Sequence, residues 1–189
     1  MAKSLIQSGV AHNVLLLTFE MYTKYLSYDD KGNRTIFSDG ASATWIGTEG
    51  FAEIGECSLG TDGSGAEFLI KRPNKPLYMD GGAIFDFSSD VVPKMVEDVL
   101  HKSNLQMDDI NLWVFHQANK YMINYIRKML EIDKERFHIH TEHVCNTVSS
   151  TIHIALCAAR EEGRSHGNVM LAGFGVGLSW GAVMLKCKL

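Results

Sequence analysis

The apolar positions form short runs in the first half of the chain and helical stripes in the second. The opening MAKSLIQSG reads as the last turns of a helix stopped at Gly9. Residues 13–19 (NVLLLTF) are a brief apolar run closed by Glu20, and their length and flanks predict a buried strand. Residues 21–40 are polar and turn-rich and end in FSDG. ASATWIGTE (41–49) predicts a second strand that begins with small residues. Glycines at 50, 55, 60, 63 and 65 predict loop around one or two short strands. PNKP at 73–76 is a further loop, and 78/79 is the expected boundary between two parts, 1–78 and 79–189.

From Ser88 the signals sharpen. SSD is an N-cap candidate, and Pro93 suits a first helical turn. Val92, Met95, Val96, Val99 and Leu100 follow the spacing of a helix buried on one face. NLWVF (111–115) predicts a buried strand, and KYMINYIRKML (120–130) a helix with Met122, Ile126, Met129 and Leu130 on one stripe. FHIH (137–140) alternates like a strand. Residues 149–162 predict a third helix, with Ile152, Ala155, Leu156 and Ala159 inward and Gly163 as its stop. The end, NVMLAGFGVGLSWGAVMLKCKL, predicts two strands around a glycine-rich turn. Helices alternating with strands in this way predict an α/β layered core with a mixed sheet packed by helices.

Composition narrows the function classes. With 46% apolar residues and 21% charged the chain has matter for a real core, and a net charge of -4 argues against a nucleic-acid partner. No run is long enough for a membrane span. Cys57, Cys145, Cys157 and Cys187 are scattered with no CxxC, which points to free thiols in a reducing compartment such as the cytoplasm.

Ligands in such sheets bind at strand C-termini, and two polar motifs fall there. His116 follows the strand at 112–115, and Asn146 precedes the helix at 149. An imidazole N–H and an amide NH2 can both donate to one developing oxyanion. Taken alone, the pair reads first as helix caps or satisfied polar residues, and only second as oxyanion donors.

Four motifs then occur in order: FSDGASA (37–43), HQAN (116–119), CNTVSS (145–150) and GFGVGLSWGA (173–182). They resemble FGDGAGA, HQAN, GNTSSAS and AFGGGLSWGA of the beta-ketoacyl-acyl-carrier-protein synthase III family. MDGGAIFDF (79–87) also resembles that family's lead-in to a helix. The resemblance runs over essentially the whole chain. It implies a thiolase-like fold, here the end of the N-terminal half plus a complete C-terminal half. It further implies decarboxylative condensation of an acyl primer with malonyl-acyl carrier protein, in which His116 and Asn146 stabilise the enolate. Asn119, Phe174 and Gly175 would contact substrate or pantetheine, Gly175 belonging to a glycine-rich turn able to approach a ligand closely. Lys120, Arg127 and Lys128 would meet the acidic carrier protein. Acyl-CoA, acyl carrier protein and a second copy in a homodimer are the implied partners. CoA and carrier thioesters enter as substrates, with no cofactor.

The family's nucleophilic cysteine is missing, and the resemblance places it before Met1. Cys145 replaces a glycine ahead of the family's asparagine, where a small residue filling a small space is the expected role. A surrogate nucleophile there is the alternative. Tyr121 stands where the family often has an arginine. His138, His140, His143 and Cys145 are metal-binding residue types, but their spacing matches no zinc pattern, so an exposed histidine cluster is expected. A non-catalytic thiolase-fold partner subunit and a small metal-binding protein remain as competing readings. A fold deprived of an upstream half is expected to expose apolar patches.

Overall fold

The structure, a computed structural model, describes residues 1–188. In chain order it contains α1 (Ala2–Gln7), β1 (Val14–Glu20), α2 (Lys31–Arg34), β2 (Gly40–Ile46), β3 (Ala52–Thr61), β4 (Leu69–Lys71), β5 (Leu77–Met79) and α3 (Gly81–Ser103). There follow β6 (Leu112–Phe115), α4 (Lys120–Met129), α5 (Thr141–Val144), α6 (Thr151–Glu161), β7 (Gly167–Gly175) and β8 (Ser179–Cys187).

The central sheet has the order β3-β8-β7-β6, parallel between β6 and β7 and antiparallel elsewhere. Alternation along β6 divides the core between its two faces. Trp113 and Phe115 pack with Val92, Met95, Val96 and Val99 of α3 and with Ile123 and Ile126 of α4. Leu112 and Val114 pack with Ala155 and Ala159 of α6. Beyond α6 lies an antiparallel β1–β2 ribbon, held by Thr18 and Ser42 at 2.6 Å, Thr18 and Ser150 at 2.9 Å, and Thr44 and His153 at 3.0 Å. The layers are therefore helix, sheet, helix and ribbon.

The helical stripe of α3 is buried as its spacing predicts, but the helix starts earlier than Ser88. Asp80 is the N-cap, accepting the Ala83 N–H at 2.9 Å, and Ser88 turns its hydroxyl back to Ile84 O. Pro93 thus lies inside the helix rather than in its first turn. The glycine-rich stretch holds the ten-residue β3 rather than short strands in loop. Gly60 pairs with Trp180, whose ring a Cβ would meet, and Gly55 lies in the register shift between Ile54 and Cys57, where a Cβ would approach the Met184 backbone. Because β3 precedes residue 78 and pairs with β8, the sheet draws on both sides of the expected boundary. Residues 137–140 form no strand; Phe137 makes one isolated bridge to Trp113. On α4, Ile123 is buried and Met129 exposed, so the stripe is rotated from the one expected.

The strand at 13–19 is present but not buried. Its outward residues Leu15, Leu17 and Phe19 are 55%, 57% and 74% exposed, and Trp45 beside them is 67% exposed. The inward face mixes the hydroxyls of Thr18, Ser42 and Thr44 with Val14, Leu16 and Ile46, while the outward face is apolar and bare. An exposed apolar patch was expected, and it is here.

Candidate active site

A crevice of about 420 Å³ opens between the ends of β6 and β7 and the N-terminus of α6. His116 and Asn146 both line it, together with Asn119, Phe174 and Gly175. Three further walls come from Glu20 and Phe37 in the first part and from Val148 to Ile152 in the second.

Each polar residue is held by its main chain. His116 continues β6 and donates its N–H to Ala172 O at 2.7 Å, which ties it to β7. The next residue, Gln117, is fully buried. Its Nε2 donates to Phe115 O at 2.7 Å and His138 O at 3.3 Å, while Oε1 accepts the His140 N–H at 2.7 Å. That clamp locks residues 138–140 beside the strand end that carries His116. Asn146 is fixed from the other side, its N–H donating to Ile36 O at 3.0 Å and its O accepting the Ser38 N–H at 2.9 Å.

The side-chain bonds leave complementary atoms for the crevice. Asn146 Oδ1 accepts the Val148 N–H at 2.9 Å, so the amide nitrogen with its two donors has no hydrogen-bond partner among the described residues. His116 Nδ1 lies 2.6 Å from Thr151 Oγ1, which leaves Nε2 without a partner among the described residues. Burial pushes the His116 pKa down to about 4, so the ring is neutral near pH 7. Phe174 is buried edge-on to the imidazole, with ring centroids 5.6 Å apart. A neutral imidazole and an amide beside an apolar wall form a site suited to donating hydrogen bonds to a developing negative charge.

Other expected site residues differ in setting. Asn119 caps α4, its Oδ1 accepting the Met122 N–H at 2.8 Å, and it also borders the crevice. Gly175 ends β7, and a Cβ there would meet nothing within 4 Å, so space does not demand glycine. The turn between β7 and β8 instead uses Gly177 at φ 137°. Lys120 is paired with Glu142. Arg127 donates to Ile132 O at 2.7 Å and closes the turn after α4, while Lys128 is exposed. Tyr121 is exposed against Phe85, with centroids 5.9 Å apart.

Cys145 is exposed, so it fills no small space. It is the residue that closes α5, and it takes φ 54°, ψ -153°. Cys157 is exposed on α6, and Cys57 lies within β3. None of the crevice-lining residues is a cysteine. His138 is buried, not part of an exposed cluster, and its Nδ1 meets Arg164 at 2.8 Å. It stacks on His140 at 5.8 Å without a shared strand face, and no group of three or more metal-binding side chains is found among the described residues.

Thr151, Glu20, Phe37 and Gln117 escape the sequence. Phe37 and Gln117 lay inside motifs; Thr151 and Glu20 are brought in by packing between distant segments.

Comparison with known proteins agrees with this architecture. Residues 1–63 match the family model described as 3-oxoacyl-[acyl-carrier-protein (ACP)] synthase III, and residues 100–187 match its C-terminal counterpart. The chain is 34% identical over 203 residues to beta-ketoacyl-[acyl-carrier-protein] synthase III of Clostridium perfringens, covering 98% of this chain and 63% of that protein. It is 34% identical over 190 residues to the protein of the same name from Staphylococcus saprophyticus, covering 98% and 60%. The crystal structure of the Thermus thermophilus synthase III superposes with a TM-score of 0.92 at 30% identity, covering 98% of this chain and 62% of that one. The chain thus spans about three-fifths of the length of the curated relatives it matches.

Proposed function

The chain belongs to the 3-oxoacyl-[acyl-carrier-protein] synthase III family, with its thiolase-like fold, and from that premise we propose that it is the C-terminal catalytic portion of such a condensing enzyme. Its chemistry is decarboxylation of a malonyl thioester carried by acyl carrier protein. As CO2 leaves, negative charge moves onto the thioester oxygen, and His116 Nε2–H and Asn146 Nδ2–H donate to it. The enolate then attacks an acyl group held elsewhere. The observation that carries this reading is the pair of side-chain nitrogens left without protein partners on one crevice. Asn119, Phe174 and Gly175 border the same crevice as substrate and pantetheine contacts. The substrates are thioesters of CoA and of carrier protein, with no cofactor, in cytoplasmic fatty-acid or related lipid or polyketide synthesis.

Acyl transfer needs a thiolate, and the crevice holds none. By itself the chain is a decarboxylase half-site that needs a cysteine from another polypeptide segment to condense. A non-catalytic subunit that docks on a homologue is the second reading, favoured by the apolar outer face of the β1–β2 ribbon; a homodimer through that face fits either one. The test is release of labelled CO2 from malonyl-carrier protein, run beside a condensation assay with acetyl-CoA. Each of His116→Ala and Asn146→Ala is expected to lower decarboxylation by on the order of 10²-fold, the effect of losing one oxyanion donor. Decarboxylation indifferent to both substitutions would sink the assignment. Condensation by the chain alone, abolished by Cys145→Ala, would instead reinstate the surrogate nucleophile.

A further inference from the structure

Thr151 opens α6 and is buried against the imidazole of His116, with Oγ1 2.6 Å from Nδ1. A neutral imidazole shares one proton between two nitrogens, so the group that meets Nδ1 decides what Nε2 can do. Two arrangements satisfy the pair. In one, the hydroxyl donates to Nδ1, the ring proton sits on Nε2, and Nε2 is a donor toward the crevice. In the other, Nδ1–H donates to Oγ1, the hydroxyl hydrogen turns to Val148 O at 3.0 Å, and Nε2 presents a bare lone pair. Val148 O already accepts the backbone N–H of Thr151 and does not depend on the hydroxyl. The contact to Nδ1 is also the shorter of the two.

We propose that Thr151 is a positioning residue that donates its hydroxyl hydrogen to Nδ1 and so holds His116 as the tautomer protonated on Nε2. The proposal rests on His116 acting as a hydrogen-bond donor to the substrate, but its test needs no turnover. Threonine suits the task because its hydroxyl can rotate while its methyl group packs at the start of the helix. Nothing in the spacing of the motifs marks the position: it lies five residues beyond Asn146 and 35 beyond His116.

The experiment is nitrogen-15 NMR of the imidazole groups in the 189-residue chain at pH 7, with the His116 signals assigned by their loss in His116→Gln. The expected spectrum has Nε2 at a protonated, pyrrole-like shift and Nδ1 at a pyridine-like shift displaced upfield by its hydrogen bond. Thr151→Val should move Nδ1 downfield to the value of an unbonded pyridine-like nitrogen, and Thr151→Ser should restore it. A protonated Nδ1 in the unaltered protein overturns the proposal, and so does an Nδ1 shift indifferent to Thr151→Val. The unaltered protein decides the tautomer even if Thr151→Val fails to fold. An Nε2–H tautomer combined with decarboxylation unaffected by His116→Ala would defeat the catalytic reading and leave this one standing.

Discussion

Phe37 and Asn146 face one another in an isolated parallel bridge, although 109 residues separate them. The bridge joins two polar motifs, FSDG and CNT, by main-chain bonds at 3.0 and 2.9 Å. It makes the direction of Asn146 a property of the first part of the chain as much as of the second.

Gly40 lies just beyond that bridge, where a Cβ would fall 2.6 Å from Thr147 Cβ and 2.7 Å from its methyl carbon. Thr147 is buried and has little room to retreat. Gly40→Ala should therefore destabilise the fold by about 1–3 kcal/mol through overpacking, and displace Asn146 with its neighbour. Urea unfolding reads the first effect. An unchanged midpoint would mean that the 145–148 segment yields freely.

Cys145 occupies a backbone region that suits glycine, and Val148, a β-branched residue, also has φ 54°. Strain of this kind costs of order 1–3 kcal/mol and clusters at functional sites. Cys145→Gly should raise stability by about 1 kcal/mol. A urea midpoint that fails to rise would show that the neighbouring bonds, not the residue, set the cost of this conformation.

The motifs made the site legible only in part. His116 follows a strand whose apolar pattern is strong, so its place on the sheet rim followed from the sequence; Asn146 follows the short helix α5 rather than the strand expected at 137–140, and its bridge to Phe37 sets its place. Thr151 and Glu20 became site residues through contact between segments, and no local pattern encodes such contact. Periodicity failed for a similar reason at 137–140, where FHIH alternates but Gln117 takes the main-chain groups that a neighbouring strand would have used. At β3, glycines that read as loop are positions of close approach to β8. At β1, a run read as buried has its outer face bare, because burial depends on what covers a strand and not on the strand itself.

Carrier binding should weaken with added salt if Lys120 and Lys128 steer an acidic partner, since exposed charges are screened over roughly 8 Å at physiological ionic strength. The two lysines are not equivalent. Lys120 already faces Glu142, so Glu142→Gln should strengthen binding while Lys128→Glu weakens it. Arg127→Glu is a poor probe, because its guanidinium closes the turn at Ile132 and its loss would unsettle α4. Carrier affinity that is the same in Lys120→Glu/Lys128→Glu as in the parent would refute the steering role.

Acid should weaken the fold through His116. Burial lowers its pKa from 6.5 to about 4. Between those values the unfolded chain binds more protons than the folded one, so stability rises with pH across the window and is lost as pH falls through it. His138, His140 and His153 are lowered by burial as well and act with the same sign. Urea midpoints taken from pH 7 to pH 4.5 should fall steadily, and His116→Gln should flatten the slope without abolishing it. The chemistry should fail later than the fold begins to weaken, because His116 in folded molecules stays neutral until the pH nears 4. A His116→Gln slope equal to the parent's would mean that the imidazole is more hydrated than its setting implies.

The outer face of the β1–β2 ribbon sets the behaviour of the chain in solution. Register pairs Leu15 with Trp45, Leu17 with Ala43 and Phe19 with Ala41, which gives an apolar surface with no charged residue on it. The two strands pair only with each other among the described residues, so each also offers a free edge. A bare two-stranded ribbon with an apolar face and open edges is prone to associate. Sedimentation of the purified chain should show dimers or larger species at micromolar concentration. Serine at Leu17, Phe19 and Trp45 together should shift it toward monomer. Because these side chains point away from the body of the protein while Thr18 and Thr44 hold the ribbon down, circular dichroism should change little. A parent chain that sediments as a monomer, with a high and cooperative melting point, would show that this face needs no cover.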